Sequence, residues 1–228
     1  MKQIVIALLA ALMGAFALAG AEIKTTASTL SFGEMKFSIR NASLYLSRGK
    51  EDLGKFYLHV VTNGKKKWYV ADSQNTELIS SGNSAWKFAT TIPLNAANKE
   101  NIVFTTQITV TPFNTIEVLT TWDAPKKIAD LKSVGFFCNI PMQATQMRSL
   151  EIDGKTTEIL NETKYGYFKL LHNAHEMIFF KGMEGCEFSV VNEGKAFLLL
   201  SSVQGKIGTL SLEFLISAGS FQVNITPK

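Results

Sequence analysis

Apolar and polar residues alternate one for one through most of this chain, and that period leaves little room for any architecture but antiparallel β-sheet. Ile102, Phe104, Ile108 and Val110 alternate with Val103, Thr105, Gln107 and Thr109. Val134, Phe136, Cys138 and Ile140 repeat the pattern, as do Leu210, Leu212, Phe214 and Ile216, and, more briefly, Met35, Phe37 and Ile39. Alternation gives each strand one face to bury and one to wet, and the Val, Ile, Thr and Phe that dominate these runs suit a pleated surface. Helical periodicity is nearly absent. The best candidate is Ala124 to Leu131, two turns at most, with Asp123 as cap and Pro125 in the first turn.

Turn chemistry punctuates the runs. Asn63-Gly64 and Asp153-Gly154 are two-residue hairpin signals, since both central positions of a type I′ turn need positive φ. Asn192-Glu193-Gly194 fits a slightly longer hairpin loop, and Thr111-Pro112-Phe113-Asn114 separates two further strands. Roughly 13 to 16 strand candidates are too many for one flat sheet. Two stacked antiparallel sheets give every strand a place to hide its apolar face, so the expected fold is an all-β, large two-sheet sandwich, with barrel-like closure as the alternative. A membrane barrel is disfavoured, because Phe136 to Ile140 carries aromatics on both faces and aromatic girdles do not recur. The composition, 46% hydrophobic and 18% charged with only 5 Pro and 2 Cys, excludes disorder and a disulfide-dense miniprotein.

Met1 to Ala21 reads as a segment outside the fold. Lys2 supplies a positive start, Ile4 through Ala19 is an uncharged run of about 16 residues, and Ala19-Gly20-Ala21 offers a small-residue cleavage site. That run is short of the ~20 residues a membrane-spanning helix needs. The expectation is a cleaved signal peptide over 1–21, a single β-sandwich domain over 22–228, no integral membrane span after cleavage, and export to a bacterial periplasm or beyond the cell. Losing Lys2 lowers the formal charge by one from +4. That small excess gives no reason to expect nucleic acid as a partner.

Both cysteines, Cys138 and Cys186, read as inward-pointing residues of alternating strands, Cys186 beside Phe188 and Val190. In an oxidising compartment a Cys138–Cys186 bridge is expected by a small margin, and closing a loop of roughly 50 residues would stabilise by about 4 kcal/mol. Two buried thiols are the alternative. His172-Asn-Ala-His175-Glu176 lacks the spacing and helical setting of a zinc motif and reads as a polar hairpin loop between Phe168 and Met177, so neither metal nor cofactor is expected.

The informative stretch is 55–72. A two-residue Asn63-Gly64 loop would pair positions whose numbers sum to about 127. Phe56, Leu58, Val60 and Tyr69 then share a core face. The opposite face gathers Tyr57, His59 and Trp68, with Val61 opposite Lys66 and Lys55 opposite Asp72. Aromatic rings with polar tips, bordered by Lys66 and Asp72, are what a sugar platform requires: pyranose C–H faces stack on rings while charged and amide groups take the hydroxyls. Trp86 and Trp122 alternate with Phe88, Ile92, Ile116 and Val118, and read as core.

The reading is therefore an exported, non-catalytic module holding a poly- or oligosaccharide on Tyr57, His59, Trp68, Lys66 and Asp72. One alternative is a structural or assembly protein of the cell envelope with a protein partner. Another is a hydrolase or lyase whose carboxylates converge only in three dimensions; no nucleophile elbow, phosphate loop or dinucleotide fingerprint marks the chain as an enzyme. The pattern is similar to the large two-sheet sandwiches found in and around carbohydrate-active proteins, an analogy of fold that carries no site residues.

Overall fold

In the computed structural model the alternating runs become ladders, and every ladder is antiparallel. The structure describes residues 23–26, 28–62, 68–95, 100–123, 131–141, 149–158, 166–172, 175–193, 196–203, 207–214 and 219–228. The expected signal segment 1–21 and the helical candidate 124–130 lie outside them. One sheet holds ten strands: β1 (Lys24–Thr26), β2 (Thr29–Phe32), β3 (Met35–Arg40), β4 (Ser43–Arg48), β5 (Glu51–Thr62), β6 (Trp68–Val70), β11 (Leu131–Pro141), β14 (Gly166–His172), β17 (Ala196–Val203) and β18 (Ile207–Phe214). The other holds nine: β7 (Thr76–Ser81), β8 (Ala85–Asn95), β9 (Glu100–Val110), β10 (Ile116–Trp122), β12 (Ser149–Ile152), β13 (Lys155–Glu158), β15 (Glu176–Phe179), β16 (Phe188–Glu193) and β19 (Ser220–Pro227).

The first sheet runs β1-β2-β3-β4-β5-β11-β18-β17-β14, with β6 added beside β5; the second runs β13-β12-β15-β16-β19-β10-β9-β8-β7. Each has two ends, so the molecule is a two-sheet β-sandwich and the barrel alternative is set aside. β5 is long enough to serve two neighbours on one edge. Its first half pairs with β4 and its second half with β6, while β11 runs along the other edge.

Strand alternation sets the core. Met35, Phe37 and Ile39 of β3, and Ile102, Phe104 and Ile108 of β9, are buried as expected, and so are Trp86 and Trp122. Phe188 sits at the centre, with its ring centroid 5.0 Å from Phe179, 5.6 Å from Phe37, 6.0 Å from Phe180 and 6.2 Å from Phe32. Phe37 and Phe32 belong to the first sheet and Phe179 to the second, so this cluster joins the layers. Each buried ring contributes ~2–3 kcal/mol by removal from water, and edge or offset contacts add about 0.5–1.5 kcal/mol.

Two of the expected turns hold. Asp153 and Gly154 both take positive φ, 47° and 77°, and Ile152 pairs with Lys155 across them. Thr111 to Asn114 joins β9 to β10, with Asn114 at φ 59°. Two other expected hairpins are corrected. β14, which ends at His172, lies in the first sheet and β15, which follows His175, in the second, so they do not form a hairpin; nor do β16 and β17, which belong to the second and first sheets. Polar turn residues mark where a strand stops but not which sheet receives the next one.

The cysteine expectation is also corrected. Cys186 precedes β16 in the β15–β16 loop, where its backbone N–H donates to the Met183 carbonyl, and it is a free, buried thiol. Off the strand, it does not follow the alternation that aimed it at Cys138. That loop also touches the other layer: the Glu34 N–H donates to the Gly185 carbonyl at 3.1 Å.

Candidate functional site

Three strands of the first sheet build the site. On β5, Phe56, Leu58 and Val60 go to the core, so Tyr57, His59 and Val61 point to the opposite face. On β11, Phe137 lies across from Tyr57 and Gly135 lies across from His59. Gly135 offers no side chain there, and the Phe137 ring leans over His59 with centroids 4.0 Å apart. On β6, Trp68 lies across from Val61 and reaches diagonally to His59, at 4.8 Å between centroids and 51° between planes.

The strip continues toward β4. Tyr57 meets Phe137 edge-on at 6.0 Å. The Lys55 ammonium stands 4.6 Å from the Tyr57 ring centroid and 5.7 Å from that of Tyr45, and the Arg40 guanidinium 5.9 Å from Tyr45. Tyr45, Tyr57, Phe137, His59 and Trp68 thus form a band across four strands with cations at one end, an arrangement that favours each charge by about 0.5–1 kcal/mol at exposed positions.

The expected register is corrected. The pairs His59–Val70, Val60–Tyr69 and Val61–Trp68 sum two higher than a two-residue loop would give. A shift of two preserves the face of every side chain, so Trp68 still meets His59, diagonally instead of directly. The expected openness of the trio is corrected as well. Tyr57 is buried and His59 is 2% exposed, whereas Trp68 is 65% exposed. Lys66 lies outside the described residues. Asp72 does not oppose Lys55, whose partners are Tyr45 and Asn139.

Asp72 instead shapes the turn after β6. Its Oδ1 accepts from the Gln74 N–H at 2.8 Å and the Asn75 N–H at 3.2 Å, and its own N–H donates to Asn75 Oδ1 at 3.0 Å. This turn borders an open cavity of 670 Å³ lined by Tyr69, Asp72, Gln74, Glu77 and Thr91, among others. Trp68 and Tyr69 are adjacent in β6 and point to opposite faces. The short strand therefore carries the exposed indole on one side and a wall of the polar cavity on the other.

His59 is electrostatically unusual. Among the described residues neither ring nitrogen has a hydrogen-bond partner, and burial lowers its pKa to about 4. The imidazole is neutral at physiological pH, and the indole rests against it with the two ring planes tilted. Sequence reasoning missed Phe137, Tyr45 and Arg40. Phe136-Phe137, two aromatics that must face opposite ways on one strand, was the available signal, but which strand lay beside it was not. Among the described residues no three His, Cys, Asp or Glu side chains gather to hold a metal ion.

Neither a protein-family model nor a curated protein matches the sequence. Among solved structures the chain is similar to a galactose mutarotase-like protein from Lactobacillus casei, with TM-score 0.45 and 11% identity over 91% of this chain and 99% of that one. It is also similar to a Paenibacillus xanthan lyase, with TM-score 0.38 and 8% identity over 90% of this chain, which spans 25% of the lyase.

Proposed function

We propose that this chain is an exported, saccharide-binding β-sandwich that stacks a sugar ring on the Trp68 indole. The observation that carries the reading is the contrast at β6, where a 65% exposed indole rests 4.8 Å from a His59 ring that is itself sealed. An exposed indole offers the flat apolar face against which the C–H groups of a sugar ring can pack. Its contact with the buried imidazole narrows the rotamers open to the indole and so lowers the entropy lost on binding.

A stacked ring contributes about 1 kcal/mol beyond area burial, if ring–ring values carry over to sugars, so affinity falls in the millimolar to micromolar range. Calorimetric titration against a panel of soluble polysaccharides tests this. Trp68→Ala is expected to weaken binding at least about tenfold, and Trp68→Phe to retain part of it. Binding that survives Trp68→Ala unchanged moves the site elsewhere.

A further inference from the structure

β7 closes one end of the nine-stranded sheet, and among the described residues it pairs with β8 alone. Five of its six residues are exposed, with Leu78 at 54% and Ile79 at 51%. An edge with open backbone groups and adjacent apolar side chains is a template for another strand. Thr76–Ser81 has neither lysine nor proline to blunt the edge, and its remaining blunting features, Glu77 and a bulge, are ones a strand of matching register and charge can accommodate.

The register of β7 identifies the strand it fits best. Glu77 lies across from Ala89 and Ser80 across from Lys87, so Glu77, Ser80 and Lys87 share the outer face. Thr76, Leu78 and Ser81 lie across from Thr90, Phe88 and Trp86, on the core-facing side. The bulge between Leu78 and Ser80 inserts one residue, which is why positions 77 and 80 share a face although three apart. Consider a two-fold axis normal to the sheet, placed between Leu78 and Ile79. It pairs Glu77 with the partner's Ser80, outer face to outer face, and Thr76 with the partner's Ser81, core side to core side. Without the bulge this register would set faces against each other.

Charge agrees with shape. In that register no like charges meet across the seam. The partner's Lys87 lies one strand beyond the partner's Ser80 on the same face, about 10 Å from Glu77 along the sheet, a span two long side chains cover. The axis generates this Glu77–Lys87 pairing twice. Within one chain, neither side chain has an ion pair among the described residues.

We infer that the chain forms a two-fold dimer by antiparallel pairing of β7 with β7 of a second copy, joining the two nine-stranded sheets into one. The test is sedimentation equilibrium on the mature chain from micromolar concentrations to about 0.5 mM. The wild type is expected to pass from monomer to dimer in that range. Ile79→Lys and Lys87→Glu, both at exposed positions, are each expected to weaken the dimer at least about tenfold while far-UV circular dichroism stays unchanged. The double variant Glu77→Lys/Lys87→Glu, which exchanges the two charges, is expected to return most of that loss. A wild type that stays monomeric throughout overturns the inference. So does a dimer indifferent to Ile79→Lys, or a charge exchange that restores nothing.

Discussion

Replacing His59 with phenylalanine should make the protein more stable, and by more at acid pH than at neutral pH. In the native state the imidazole lies between Phe137 and Trp68, with both nitrogens unpartnered among the described residues. A phenyl ring occupies the same slot without an unsatisfied donor or acceptor, which relieves about 1–3 kcal/mol. The acid part follows from linkage. The native imidazole titrates at about 4, below its ordinary 6.5, because burial opposes the charged form. Between those values the unfolded chain holds a proton at His59 that the native chain does not. Stability therefore falls as pH drops through 6.5 and levels off near 4, by about 3 kcal/mol for a shift of about 2.5 pH units. Urea unfolding of wild type and His59→Phe at pH 7.5, 6.5, 5.5 and 4.5 reads this directly, since titrations elsewhere cancel in the difference. The gap between the two proteins should widen toward low pH by about that amount. Parallel profiles, or a variant less stable than wild type at pH 7.5, would refute the reasoning.

Three further outcomes are expected. Gly33→Ala should destabilise strongly, by about 2–4 kcal/mol in a thermal or urea melt: Gly33 takes φ of 50°, and an added Cβ would stand 2.7 Å from Gly185 Cα, against backbone that cannot swing aside. Gly185→Ala, with positive φ but an ordinary 3.6 Å approach, should lose only about 1–2 kcal/mol; equal losses would contradict the contact. Phe188→Ala should lose about 3–5 kcal/mol, because it empties the centre of the ring cluster between the sheets; a loss below 1 kcal/mol would show that Phe188 is not that centre. Iodoacetamide should label Cys186 only after denaturation, and peptide mapping under non-reducing conditions should find no Cys138–Cys186 link.

Much of the fold was legible because one physical rule governs strands: half-buried β-structure must alternate. That rule reads off faces, which is why Phe56, Leu58 and Val60 were placed in the core and Tyr57, His59 and Trp68 opposite them. It does not read off neighbours. Nothing local to β5 says that Gly135 will lie beside His59 or that Phe137 will cover it, since strand order is set by packing between segments about 80 residues apart in the chain. Turn residues likewise mark where strands end, yet Asp153-Gly154 closes a hairpin while β14, which ends at His172, and β15, which follows His175, lie in different sheets. The site was half-legible for the same reason. The Trp68–His59 contact survived a register error of two because faces repeat every two residues, while Asp72, placed by counting pairs, did not.

The central claim concerns one indole, and fluorescence isolates it. Of the three tryptophans, Trp86 and Trp122 are buried and Trp68 is exposed, so acrylamide should quench essentially the Trp68 emission. Adding a polysaccharide that binds should protect that emission, and the protectable fraction should vanish in Trp68→Phe. Quenching that stays unchanged at saturating ligand, while calorimetry still reports binding, would contradict the account.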